Sequence, residues 1–191
     1  MEAVWKYIII MLKDALRYFQ NGCIWAAGIT VVLLAGMLIW KFAIHKNVKV
    51  IFWFRLLPLF FMIVYVYCVL QLTIFSREPG NYGEVDMRFL VKWDEWYGEK
   101  AYLISNIIMF IPLGIFLPML SKWTKHLILS LPAAIMCSVG IEAVQLKYQL
   151  GFCQLDDVVA NSVGYLIGFV VFLILYDVHQ FVEFLYRRLI L

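Results

Sequence analysis

Five apolar runs of about twenty residues each, parted by polar connectors, constrain this chain more than any other feature. They cover residues 22–44, 54–75, 101–120, 127–148 and 156–176. A bilayer core is about 30 Å thick, and a helix of roughly 20 apolar residues is needed to cross it. Composition agrees. Of the 191 residues 64% are hydrophobic and only 15% charged, too greasy to coat a soluble domain of this size. The expected fold class is all-α: a polytopic membrane protein of about five transmembrane helices, with amphipathic interfacial helices at both ends. The net charge of +3 is small, and no basic patch is interleaved with base-stacking aromatics. Membrane lipid is therefore an expected partner and nucleic acid is not.

The flanks are amphipathic. In residues 1–21, Trp5, Ile8, Ile9, Leu12, Leu16 and Phe19 form one helical stripe, and Lys6, Lys13, Asp14 and Arg17 occupy the rest. Such a segment lies on a membrane surface rather than crossing it. The short run Tyr7 to Leu12 is followed by charges, not by a small-residue cleavage site, so a signal peptide is not expected. Residues 22–50 supply a first span and a basic connector, and 51–176 the four remaining spans. Residues 177–191 space Val178, Phe181, Leu185 and Leu189 for a second interfacial helix. The cysteines Cys23, Cys68, Cys137 and Cys153 form no CxxC and no cluster with histidine, so each is expected to be a buried, inert thiol. No metal-ligand pattern is visible, and the sequence names no cofactor.

Polar groups inside apolar helices are costly, and they mark sites or interhelical contacts. Glu142, Gln145 and Gln149 fall at i, i+3 and i+7 on one expected helix. Asp157, Asn161, Gly164 and Gly168 repeat that pattern on the next. Asp156 is placed to cap that second helix, and the two glycines make a GxxxG packing motif. Asn106 lies one turn into the third span, where Pro112 is expected to kink the helix, Gly114 to thin it and Pro118 to mark its end.

Charge asymmetry orients the spans. The 41–55 and 121–126 connectors carry Lys, Arg and His without an acid, so both are expected in the cytoplasm. The loop between the second and third spans holds six acids against three bases over residues 78–100, with Tyr82, Trp93, Trp96 and Tyr97, and is expected outside against the headgroups. Five spans then put the N-terminus outside, against the pull of Lys6, Lys13 and Arg17. In this frame Arg77, Asn106, Glu142, Gln145, Asp156, Asp157 and Asn161 all lie near the outer ends of four spans. The inner halves are expected to hold almost no polar groups.

The chain resembles the VanZ-like family in four ordered pieces. They are T-x-x-x-R (Thr73 to Arg77), N-x-x-x-F-x-P-x-G-x-x-x-P (Asn106 to Pro118), E-x-x-Q (Glu142 to Gln145) and D-D-x-x-x-N-x-x-G-x-x-x-G (Asp156 to Gly168). They cover about residues 55–176, leaving the first span and the 1–20 helix outside. One feature departs. Many members carry an arginine in the turn before the paired aspartates, whereas Leu150-Gly151-Phe152-Cys153-Gln154 holds no base, so that its role is either missing here or falls to Arg77. The resemblance implies a multi-pass protein of a bacterial, Gram-positive cell membrane, linked to glycopeptide resistance of the teicoplanin type.

Two functions compete. A binding protein would hold a lipid-linked cell-wall precursor or a lipoglycopeptide at the outer leaflet, with Arg77 meeting a phosphate. A membrane enzyme, a hydrolase or transferase, would use Glu142, Asp156 and Asp157 as acid and base or to hold a divalent cation. No recognised catalytic motif decides for the enzyme, since His45, His126 and His179 map to the other side. A transporter is weaker, because the spans show no internal repeat and the inner halves no polar path.

Overall fold

The computed structural model describes residues 2–44, 56–80, 84–87 and 97–190. The basic residues 45–55 and the aromatics Tyr82, Trp93 and Trp96 lie outside the described residues. Helix α1 spans Glu2–Ile44. Helix α2, Leu56–Leu70, continues into a π-helical turn at Gln71–Phe75. After a short strand β1 (Val85–Asp86) come α3 (Tyr97–Leu120), a 3-10 turn at Trp123–Lys125 and α4 (Leu127–Lys147). Strand β2 (Cys153–Gln154) then leads directly into α5, Leu155–Ile190. The protein is all-α, because the two strands pair over only two residues each.

Among the described residues four helices are long and apolar enough to cross a membrane: Leu57–Phe75, Lys100–Leu120, Leu127–Lys147 and Leu155–Tyr186. They correspond to the expected second to fifth spans. Residues 22–44 are helical but are not among the four. The expected break between an interfacial helix and a first span does not exist, since α1 runs through both as one helix of 43 residues. Gly22 stays helical there because it is buried against Val64 and Tyr67 of α2. The packing stripe of α1 also differs from the bulky stripe read in the sequence. Trp5, Ile9, Leu12, Leu16 and Phe19 face outward, while Ile8, Gly22 and Ala26 are buried. Small residues bring helices close, and lipid is as good a neighbour as protein for the large ones.

The expected C-terminal tail is likewise continuous with its span, within α5. Pro112 and Pro118 sit inside α3 without ending it, and the helix closes two residues after Pro118.

The tightest packing is between α3 and α5. A Cβ on Gly164 would strike the Ile107 carbonyl, one on Gly168 the Ile111 carbonyl, and one on Gly114 the Tyr165 carbonyl. The two backbones touch at these three glycines, so the GxxxG reading is observed as direct backbone contact. Around this crossing lies the core: Met62, Phe110, Leu113, Ala134, Tyr165, Phe169 and Phe172. Phe61 of α2 stacks on Phe116 of α3 at 5.7 Å.

One end of the bundle is sewn together by backbone. Gly80 N–H donates to the Gln149 carbonyl at 2.9 Å, and Cys153 N–H to the Glu84 carbonyl at 3.3 Å. The parallel pairs Val85–Cys153 and Asp86–Gln154 complete the join. The loop after α2 and the turn after α4 thus meet at one level, and the site lies beneath them.

Candidate functional site

The π turn explains the first site residues. Arg77 N–H reaches the Ile74 carbonyl at 3.4 Å and Ser76 N–H the Gln71 carbonyl at 3.0 Å. The carbonyl of Thr73, which an α-helix would pair with Arg77 N–H, is passed over. It accepts instead from the Gln145 Nε2 amide at 3.0 Å. The Thr73 hydroxyl turns back to the Val69 carbonyl at 2.7 Å. π turns insert one residue and recur at functional sites. Here the turn re-aims the end of α2 so that Arg77 leans over the 149–154 turn.

Helix α4 ends in a Schellman motif. Gln149 takes φ 55° and Leu150 N–H donates to the Gln145 carbonyl at 2.8 Å. This corrects the reading of Gln149. It lies beyond the helix and is exposed, so it does not extend the face of Glu142 and Gln145. Gly151 then passes beside Arg77, whose Nη1 donates to the Leu150 carbonyl at 3.4 Å. A Cβ at Gly151 would come within 2.8 Å of that nitrogen. The baseless turn noted in the sequence therefore receives its arginine from Arg77.

The carboxylates come from facing helices. Glu142 is 3% exposed, and its Oε2 accepts the Gln154 N–H at 3.1 Å. Asp157 lies in the first turn of α5, where the helix dipole favours an acid, and its Oδ1 accepts from Asn106 Nδ2 at 2.7 Å. Asp156 sits in the same turn, inside the helix rather than capping it. Glu142 and Asp157 lie within electrostatic reach of each other, and Arg77 acts on both. Arg77, Asn106, Glu142, Gln145 and Asp157 are thereby gathered at one end of the bundle. Asn161 is one turn deeper, where its Nδ2 donates to Ser138 Oγ at 2.8 Å.

Of the four cysteines, all expected to be buried, Cys137 is exposed and the other three are half-buried. Cys153, expected to be buried and inert, is half-buried beside this site. Burial, then the charges of Glu142 and Asp157, push its thiol above its ordinary pKa. The signal was its place in the turn between the two acidic motifs. Toward the connector end α4 buries Ser130, with Ser138 and Tyr165 near mid-span. The buried face of α4 consists of Ser130, Ala134, Ser138, Glu142 and Gln145, and Tyr165 is buried opposite on α5. Among the described residues no group of three or more His, Cys, Asp or Glu side chains is placed to hold a metal ion.

A family model described as VanZ/LLP1 matches residues 29–176. The chain belongs to the VanZ/LLP1 family. The match begins within residues 22–44, earlier than the start near residue 55 read from the motifs. Neither a search of curated proteins nor one of solved structures returns a match. With its four apolar helices, this VanZ/LLP1 protein is a multi-pass membrane protein.

Proposed function

We propose that this protein acts at the outer leaflet of a bacterial, Gram-positive cell membrane. There it binds the head group of a lipid-linked or lipid-tailed molecule, and the binding contributes to glycopeptide resistance of the teicoplanin type. The observation that carries the reading is Arg77 held beside buried Glu142 and half-buried Asp157 at the sewn end of the bundle. Its Nη1 donates to the Leu150 carbonyl at 3.4 Å, and a guanidinium carries five N–H donors in all. Those donors suit phosphate or carboxylate. Glu142 and Asp157 beside them suit amines and hydroxyls. A bare phosphate would meet one arginine and two carboxylates, whereas a head group bearing both signs matches the whole set. A lipid-linked cell-wall precursor and a lipoglycopeptide both have that mixed character.

A second reading, a membrane enzyme on an envelope lipid, is favoured by the approach of Glu142 to Asp157 with Arg77 between them in charge. Such a pair serves acid–base chemistry. Mass spectrometry of lipids retained by the purified protein separates the two. Binding predicts a retained lipid or precursor that is lost in Arg77→Gln. Catalysis predicts turnover of added envelope lipid, with metal analysis reporting any divalent ion. In cells, expression in a sensitive Gram-positive host is expected to raise the inhibitory concentration of teicoplanin more than that of vancomycin. Unchanged values despite confirmed membrane expression would remove the resistance assignment.

A further inference from the structure

The buried face of α4 is unusual for a membrane helix. Ser130, Ala134, Ser138 and Glu142 recur every fourth residue, so they form one file along the helix. At about 1.5 Å per residue this file climbs about 18 Å, more than half of a core of about 30 Å. Helix α5 answers with Asp157, Asn161 and Tyr165 at the same spacing. Antiparallel packing sets Asp157 near Glu142 and Asn161 on Ser138. The Tyr165 hydroxyl faces Ser130. Ser130, Ser138 and Tyr165 are 0% exposed and Asn161 1%.

The file is not self-satisfied. Among the described residues Asn161 Oδ1 has no hydrogen-bond partner, and the Ser130 and Tyr165 hydroxyls, which face each other, have none besides one another. An unpaired buried polar atom costs about 1–3 kcal/mol, so under-satisfied groups along one interface call for further partners. The lining residues Ser130, Ala134 and Ser138 are small. Water fits such a place, because it needs several polar neighbours and little volume.

We propose that water molecules fill this α4–α5 seam and, with the side chains, relay protons between the Glu142–Asp157 end and the 121–126 connector. Each hydroxyl or water accepts a proton on one side and releases another on the opposite side, so no group changes charge after a passage. The groups facing the acid end are Arg77, Cys153, Asp156 and the Gln154 amide. Tyr165 is faced by Ser130, and Tyr65 of α2 by Cys137. At the connector end the mouth is one turn from Ser130, whose N–H donates to the carbonyl of exposed His126 at 3.1 Å. This relay is independent of what the polar end binds.

The full chain reconstituted into phosphatidylglycerol and phosphatidylethanolamine vesicles with internal pyranine tests it. The membrane potential is clamped by potassium and valinomycin and the outside is acidified. The wild-type protein is expected to acidify the lumen faster than protein-free vesicles. Tyr165→Phe keeps the ring and its packing but removes the hydroxyl, and Ser130→Ala removes the facing one. Either variant, with wild-type Tm in detergent, is expected to fall to the protein-free rate. A wild-type rate equal to that of protein-free vesicles overturns the relay. So does an undiminished rate in both folded variants.

Discussion

Glu142 is the residue whose chemistry can be isolated most cleanly. Glu142→Gln preserves an acceptor for the Gln154 N–H at 3.1 Å and removes only the charge. If the charge serves the proposed binding, resistance or ligand retention is expected to disappear while expression and Tm stay near wild type. Joint loss of function and stability would make Glu142 a packing residue. Cys153 reports on the same charge. Its thiol is raised by burial, then Glu142, then Asp157. The reactive form is the thiolate, and a raised pKa means less of it at any given pH. Alkylation of Cys153, with the other three cysteines replaced, is therefore expected to be slower than that of a free thiol at pH 8 and to keep rising at higher pH. Glu142→Gln removes one of the raising charges and should shift that profile downward. An unshifted profile would separate Cys153 from the cluster. The acids and amides were legible in the sequence because a carboxylate in an apolar run stands out. Ser130 and Ser138 were not, because a lone hydroxyl costs little in a helix; Ser105 and Ser162 simply bond back to carbonyls four residues earlier.

At the scale of elements, the α3–α5 crossing depends on three absent side chains. Gly164, Gly168 and Gly114 each face backbone atoms rather than flexible side-chain ends. Backbone cannot step aside, so a single Gly164→Ala or Gly168→Ala is expected to cost about 1–3 kcal/mol or more, as overpacking does. Gly140, with nothing within 4 Å of an added Cβ, is the control, where alanine is expected to be neutral or mildly stabilising. Thermal unfolding in one detergent checks all three, and equal Tm values would refute the close crossing. The glycine spacing was readable because i and i+4 positions share a helix face. The π turn was not, since one inserted residue at Gln71–Phe75 leaves no mark on hydrophobic period. Gln149 was misplaced for the converse reason: the period was carried one turn past the point where the chain leaves the helix.

The whole molecule has two unlike ends, and their separation is measurable. Lys125 Nζ sits 4.3 Å from the centre of the Tyr176 ring, which puts Tyr176 at the level of the 121–126 connector. From Asp157 to Tyr176 is nineteen residues on one helix, about 29 Å at 1.5 Å per residue and close to a bilayer core. The rest of α5 therefore extends beyond the connector end, which accounts for an amphipathic tail that is continuous with its span. The sequence showed these spans plainly, because twenty apolar residues have few other uses, but it could not show that α1 would be unbroken. The geometry requires Glu84, sewn to Cys153, and Lys122, in the connector, to lie on opposite sides of the membrane. The acid-free basic connector 121–126 is expected inside, as short Lys- and Arg-rich connectors are. Single cysteines at Glu84 and at Lys122, in a cysteine-free background, are expected to react oppositely with an impermeant maleimide in intact cells. The Glu84 position should label and the Lys122 position should label only after permeabilisation. The same response at both positions would contradict the membrane-spanning arrangement of α3 and α5. A reversed response would keep the fold but move Arg77, Glu142 and Asp157 to the cytoplasmic face, and with them the outer-leaflet ligand would have to be given up.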